Sequence, residues 1–206
     1  MTDGKIRFTY NYIHNLIWKK SEQIKSYGPD VIIGIGTGGF VPARMLNEHL
    51  KLPFYTVIVK LYNDDTNEHG EEPEKIQWLD EKQIANLKGK TVVIVDEVDD
   101  TRKTLAFCVS EINKCEPKSI IVFVVNNKKS TKLAKFDCDV TYVAGCETEN
   151  RWVVYPWEVS GDIYEHNKLA KLENLDDNVQ EEENKFFKSL KNLANGMYES
   201  AKKFIQ

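Results

Sequence analysis

Three short, nearly unbroken apolar stretches, Val31 to Ile35, Val92 to Val95 and Ile120 to Val125, limit what this chain can fold into more than any other feature. A strand with one face in water alternates polar and apolar residues, whereas an unbroken apolar run requires cover on both faces. Helical spacing fills the intervals: Val41 to Leu50 follow the first run, and Leu105, Ala106, Val109 and Ile112 follow the second. An earlier helix is expected from Tyr12, Ile13, Leu16, Ile17 and Ile24, closed by Gly28-Pro29. This alternation predicts an α/β fold with a mostly parallel sheet flanked by helices. A chain of 206 residues, 41% hydrophobic, suffices for one such domain and a small appended element.

The remaining segments are less regular. Phe54 to Leu61 and Ile76 to Leu79 read as strands, and the polar stretch 62–75 between them reads as a mobile loop of the kind that serves as a lid. Thr141 to Gly145 and Trp152 to Tyr155 read as shorter strands of a hood or sheet edge, the second interrupted by Pro156-Trp157-Glu158. Residues 1–165 are therefore expected to form the core with its hood, and 166–206 a charged linker and an amphipathic C-terminal helix. That helix carries Phe186, Leu190, Leu193, Met197, Ala201 and Phe204 on one stripe.

A formal net charge of -4 gives no general attraction to nucleic acid or an anionic membrane, so neither is an expected partner. No apolar run approaches the ~20 residues that span a bilayer, and the first residues lack a signal-like apolar core. The four cysteines show no CxxC spacing, so reduced thiols and a cytoplasmic location are expected. His14, His49, His69 and His166 show no metal-ligand spacing.

Chemistry concentrates in residues 92–104. Asp96 and Glu97 stand where the apolar strand is expected to end, and Asp99, Asp100, Thr101, Arg102, Lys103 and Thr104 fill the turn before the next helix. Open α/β sheets bind ligands at such turns. Unpaired amides at a helix N-terminus, with two threonine hydroxyls, suit a phosphate beside Thr101 and Thr104. The acidic pair would repel that anion unless it faces hydroxyls or a metal ion. A phosphorylated sugar that brings Mg2+ supplies both.

Val92 to Thr104 resembles the phosphoribosyl diphosphate (PRPP) signature of type I phosphoribosyltransferases, in which a buried strand ends in two acids and continues into Asp-Thr-x-x-Thr. Gly36-Thr37-Gly38-Gly39 occupies the place of that family's diphosphate-binding turn. Arg151 to Glu158 resembles the base-binding segment of the 6-oxopurine branch, especially the fungal hypoxanthine-guanine and xanthine enzymes. The resemblance covers residues from about 10 to 165 and implies the type I phosphoribosyltransferase fold, Mg2+ as cofactor, and a homodimer or homotetramer. The implied reaction transfers the phosphoribosyl group from PRPP to hypoxanthine or guanine, with xanthine also open, in purine salvage.

Roles follow from the same resemblance. Asp96 and Glu97 meet the ribose hydroxyls, with Glu97 and Glu158 as metal candidates, and Thr101, Arg102, Lys103 and Thr104 wrap the 5'-phosphate. The amides of Thr37, Gly38 and Gly39 meet diphosphate. Asp100 exchanges a proton at purine N7, Lys128 or its neighbour Lys129 donates to O6, and Trp152 and Val153 stack on and edge the base. An ammonium near O6 favours an oxo over an amino substituent because it can only donate.

Three departures accompany the match: Glu97 in place of a second aspartate, Asp99 in place of an apolar residue, and Arg102 where most members have Gly. Arg102 could add a bidentate phosphate contact. Taken singly, each motif has a structural reading as well: a capped helix start, a Gly-rich connection, packed tryptophans, a solvated lysine pair. Their joint register favours the enzyme. The competing reading is a non-catalytic regulatory protein that binds the phosphoribosyl ligand, but such a protein would be expected to show a DNA-binding element or a basic face.

Overall fold

The computed structural model describes residues 3–63 and 68–172. In chain order its elements are β1 (Ile6–Arg7), α1 (Tyr10–Ser26), β2 (Val31–Gly36), α2 (Phe40–Leu50), β3 (Phe54–Asn63), β4 (Glu68–Gln77), α3 (Glu81–Leu87), β5 (Thr91–Asp99), α4 (Lys103–Asn113), β6 (Ser119–Lys128), β7 (Val140–Thr148), β8 (Val153–Val154) and α5 (Ile163–Leu172). A short 3-10 turn, Pro156–Glu158, precedes α5. The described residues form two compact units, one from those up to Tyr12 together with those from Trp152 to Leu172, the other from those between Ile13 and Arg151.

The larger unit is built on a six-stranded sheet in the order β4-β3-β2-β5-β6-β7, parallel throughout except where β4 runs antiparallel to β3. The three apolar runs are β2, β5 and β6, central in the sheet. Ile32, Ile33, Val93, Ile94 and Phe123 are fully buried, as strands covered on both faces require. Ile94 packs with Leu105, Val109 and Ile112 of α4 in the same core.

From β2 the chain passes through α2 to β3 on one side, and from β5 through α4 to β6 on the other. The carboxyl ends of β2 and β5 are therefore adjacent at a reversal of strand order, where crevices open in such sheets. The α/β class with a mostly parallel sheet is as the sequence predicts.

Several expectations need correction. The polar stretch 62–75 is not a loop: β3 extends to Asn63, and β4 occupies Glu68–Gln77 as an antiparallel edge strand. An edge strand needs only its backbone to pair, tolerates Pro73 and carries no obligatory apolar alternation, so its sequence resembles a loop. Residues 64–67 lie outside the described residues.

β5 does not end at the acidic pair but continues to Asp99, because the ladder with β6 persists through Val98↔Asn126 and Asp99↔Asn127. β6 likewise continues to Lys128, which is the last residue of the strand rather than part of a following turn. Helix α3 has no counterpart in the apolar periodicity. Its start is a capping box in which Asp80 Oδ1 accepts from the Gln83 amide at 2.8 Å and the Asp80 amide donates to Gln83 Oε1 at 3.0 Å.

In the smaller unit β1 and β8 pair in parallel, with Ile6 opposite Val153. Phe8 stacks on Tyr12 with centroids 5.1 Å apart and packs on Tyr155, which in turn stacks on Trp157. His166 of α5 places Nε2 2.8 Å from the Phe8 carbonyl. The division expected at 165/166 falls inside α5, while the stripe at 186–204 lies outside the described residues.

Candidate active site

At the strand-order reversal the turn that follows β2 is in van der Waals contact with the carboxyl-terminal part of β5. A side-chain carbon on Gly38 would overlap the Glu97 carboxylate, and one on Gly39 would lie 2.8 Å from the Val95 carbonyl and 2.9 Å from Asp96 Cα. Absence of side chains at these two positions lets the turn before α2 lie directly against the acidic pair. The peptide between Gly36 and Thr37 is cis. Gly39 is the N-cap residue of α2 and has no side chain to cap it, while the Phe40 amide donates to the Thr37 carbonyl at 3.3 Å; a helix start of this kind suits an anion.

Asp96 is only 8% exposed, and its Oδ1 accepts from the Glu97 amide at 2.9 Å. Burial first, then the negative charge of Glu97, push the Asp96 carboxyl well above the usual aspartate range. Such a pair is relieved by sugar hydroxyls or by a divalent cation. Among the described residues no group of three or more His, Cys, Asp or Glu could hold a metal alone. Two carboxylates fit Mg2+, which commonly takes one or two protein carboxylates and completes its shell with water and substrate phosphates.

An expected consequence concerns stability. A carboxyl whose folded pKa is raised binds more protons in the native than in the unfolded chain, so stability falls as pH rises above the unfolded value of ~3.9. Asp96→Asn should therefore raise the melting temperature at pH 7 by at least about 2 °C, the shift that roughly 1 kcal/mol gives in a chain of this size. The gain should shrink toward pH 4. Thermal unfolding of both proteins across pH 4–8 checks this, and a variant less stable than wild type at pH 7 would contradict it.

Beyond β5, residues 100–102 form the turn and Lys103 begins α4. The N-cap residue of α4, Arg102, makes no side-chain cap bond, and the amides of a helix's first turn point back toward the segment that precedes it. Asp100 Oδ2 accepts from Lys128 Nζ at 2.7 Å. Burial would raise the Asp100 carboxyl, but the bonds from Lys128 and Ser130 outweigh it and the net shift is downward. Lys129 points elsewhere, with Nζ 3.7 Å from Glu147 Oε2 on an exposed surface.

Arg102 holds φ +69°, the left-handed region, which costs a residue with a side chain about 1–2 kcal/mol relative to glycine. Its guanidinium, expected from the sequence to be able to contact phosphate, turns toward Asp99. It donates to Asp99 Oδ2 through Nε at 3.0 Å and a terminal nitrogen at 2.7 Å, and lies 5.0 Å and 5.2 Å from the ring centroids of Phe136 and Tyr142. Asp99 is fully buried. Lys132, Phe136 and Tyr142 come to this loop from segments 30 or more residues away, and no local pattern in the sequence marks them.

Trp152, Val153 and Glu158 belong to the smaller unit. Trp152 is 71% exposed, with its carbonyl accepting from Ile6. Glu158 Oε2 accepts from the Tyr155 amide at 2.9 Å, closing the 3-10 turn. Burial raises its carboxyl, with the Tyr155 amide acting in the opposite direction.

Comparison with known proteins places this geometry. Residues 9–160 match the phosphoribosyl transferase domain. The chain is 36% identical to hypoxanthine-guanine phosphoribosyltransferase of Schizosaccharomyces pombe, over 85% of this chain and 99% of that protein. It is 34% identical to xanthine phosphoribosyltransferase 1 of Saccharomyces cerevisiae, over 84% of this chain and 98% of that protein. Among solved structures, a hypothetical protein from Neisseria gonorrhoeae with bound ppGpp is similar with a TM-score of 0.72 and 39% identity, covering 84% of this chain and 98% of that one. The glycine turn set against paired acids, the helix that starts just beyond them and these matches agree: the chain belongs to the phosphoribosyltransferase family.

Proposed function

We propose that this chain is a purine salvage enzyme that transfers the 5-phosphoribosyl group of PRPP to hypoxanthine or guanine, giving IMP or GMP and diphosphate, with xanthine as a further acceptor. The observation that carries the reading is the contact of Gly38 and Gly39 with Asp96 and Glu97. It sets amides suited to diphosphate beside carboxylates suited to ribose hydroxyls. Nothing observed favours a non-catalytic ligand-binding protein of the same fold.

In this reading the 5'-phosphate lies on the α4 amides and the hydroxyls of Thr101 and Thr104, with Lys103 adding positive charge. Asp96 and Glu97 orient the ribose. These carboxylates would hold Mg2+, which would supply positive charge against the departing diphosphate. The amides of Thr37, Gly38 and Gly39 stabilise the same charge from the protein side. As N9 bonds to C1 and the C1–O bond to diphosphate breaks, Asp100 accepts the proton released from N7. Its lowered pKa supports that direction, because the carboxylate is ionised at neutral pH.

Lys128 rather than Lys129 is supported as the donor to O6, since it is the lysine beside Asp100. Trp152 offers an exposed ring face for stacking, worth on the order of 1–3 kcal/mol per base in nucleic-acid binders, and the Val153 backbone meets the ring edge. Arg102 contributes through its backbone position. Glu158 is better suited to hold the Tyr155 amide than a metal ion. Homo-oligomeric assembly in the cytoplasm completes the proposal, and four cysteines that form no disulfide suit a reducing compartment.

The test is direct. Protein mixed with PRPP, Mg2+ and each of hypoxanthine, guanine and xanthine should release diphosphate with at least one, and silence with all three would end the enzymatic reading. Lys128→Met should raise KM for the active purine by about tenfold or more, in keeping with a lost charged hydrogen bond, while PRPP affinity changes little. Titration of PRPP binding and KM for the base separate the two effects.

A further inference from the structure

The end of β5 holds a cluster that the transfer reaction does not use directly. Asp99, fully buried, gathers three donors on Oδ2: Arg102 Nε at 3.0 Å, an Arg102 terminal nitrogen at 2.7 Å and the Tyr142 hydroxyl at 2.8 Å. Lys132 Nζ stands 3.4 Å from Oδ1 and donates to the carbonyls of Asp99 at 2.6 Å, Asp100 at 2.8 Å and Lys128 at 3.0 Å. The Leu133 amide donates to the Thr101 carbonyl at 2.9 Å. Three separate segments, the β5 end, the β6–β7 connection and β7 itself, thus converge on the turn 100–102.

That turn has a specific need. Residue 102 must hold the left-handed conformation for α4 to begin where it does, and a side chain opposes this conformation unless something anchors it. The guanidinium is anchored by the buried carboxylate and lies over the rings of Phe136 and Tyr142. Burial and the neighbouring Asp99 charge keep the Tyr142 hydroxyl protonated, so it remains a donor.

Resting on the reading that Thr101 to Thr104 receive the 5'-phosphate, we propose that Asp99 is a positioning residue for PRPP. With Arg102, Tyr142 and Lys132 it forms a strut that holds the phosphate turn in its binding shape before substrate arrives. The strut touches no reacting atom. Its loss affects how tightly the phosphate end of PRPP is held rather than the rate once it is held.

Asp99→Val leaves the guanidinium without its acceptor and the left-handed residue unanchored. Arg102→Gly removes the backbone strain but takes two of the three donors from Asp99 Oδ2, leaving the buried carboxylate only the Tyr142 hydroxyl and the nearby Lys132. The double variant removes both defects, because glycine accepts φ +69° and valine suits a buried site. Calorimetric binding of PRPP and steady-state kinetics on wild type, both single variants, the double variant and Tyr142→Phe make the test.

Each single variant should raise Kd and KM for PRPP about tenfold or more with kcat within about threefold, and the double should return to within about threefold of wild type. Tyr142→Phe should give a rise of about two- to threefold. A double variant as weak as the product of the singles, or singles that melt earlier with KM for PRPP unchanged, would overturn the strut. Should a single variant fail to fold, the double and Tyr142→Phe still decide the matter. A wild-type chain that neither binds PRPP nor turns over removes the underlying reading and the strut with it. An active wild type with unresponsive variants removes the strut alone.

Discussion

Asp100→Asn is expected to lower kcat by about 100-fold or more while KM for PRPP stays within a few-fold of wild type, since general-base contributions run from about 10² to 10⁴. Asparagine keeps the size of the side chain and an oxygen for Lys128 to bond, but it cannot accept a proton from the purine. Because asparagine still offers an oxygen to the buried Lys128 ammonium, the loss should be kinetic rather than structural. Because the Asp100 pKa is lowered, its ionised form and the pair with Lys128 persist throughout the neutral range. Both are lost only as pH falls through a value below the usual ~3.9. An acid limb in the rate of the ligand-free enzyme above pH 5 therefore belongs to another group. Equal losses in turnover and PRPP affinity would remove the proton role.

Gly39→Ala should be strongly damaging. The added carbon would stand 2.5 Å from the Ile35 carbonyl, 2.8 Å from the Val95 carbonyl and 2.9 Å from Asp96 Cα, all backbone atoms. No rotamer change relieves it, so β2 and β5 must separate at the point where both loops begin. Overpacking costs about 1–3 kcal/mol where side chains can adjust. Here we expect ~3 kcal/mol, or a fall of roughly 6–12 °C in melting temperature, with PRPP binding lost.

Gly38→Ala is the informative contrast. Its clash is with the end of the Glu97 side chain, which can swing aside, so that variant should fold normally and lose PRPP affinity only. Melting curves and PRPP titrations of both proteins distinguish these outcomes. A Gly39→Ala protein that melts with wild type would refute the packing argument.

The central architecture was readable because it rests on long-range burial that leaves a local trace: a strand covered on both faces must be apolar at every position. Val92 to Val95 show it, and the turn chemistry that follows them is equally local. What escaped has a common cause. β4 pairs through its backbone at an edge, so Glu68–Gln77 carries no pattern of burial. β5 runs past its acids because β6 continues to offer hydrogen-bonding partners, a property of another segment.

Asp99 illustrates the same limit within the site. A lone acid in place of an apolar residue suggests exposure or a hydrogen bond. Only the fold reveals that Arg102, Tyr142 and Lys132 surround it. The helix begun by the capping box at Asp80 and Gln83 went unread because it is too short to show periodicity.

The polar composition of β4 has a further consequence, for the fate of the chain in a crowded solution. An outer strand offers a row of backbone donors and acceptors to which a second molecule could add a strand of its own. Glu68 to Lys75 meet that risk with four glutamates, a lysine and a proline in eight residues. A strand docking there would bring like charges together and find a gap in the donor row at Pro73. Replacing these residues with threonine and valine would strengthen the hairpin on paper and invite aggregation in practice, so the sequence least suggestive of a strand is what allows one to stand at the rim of the sheet.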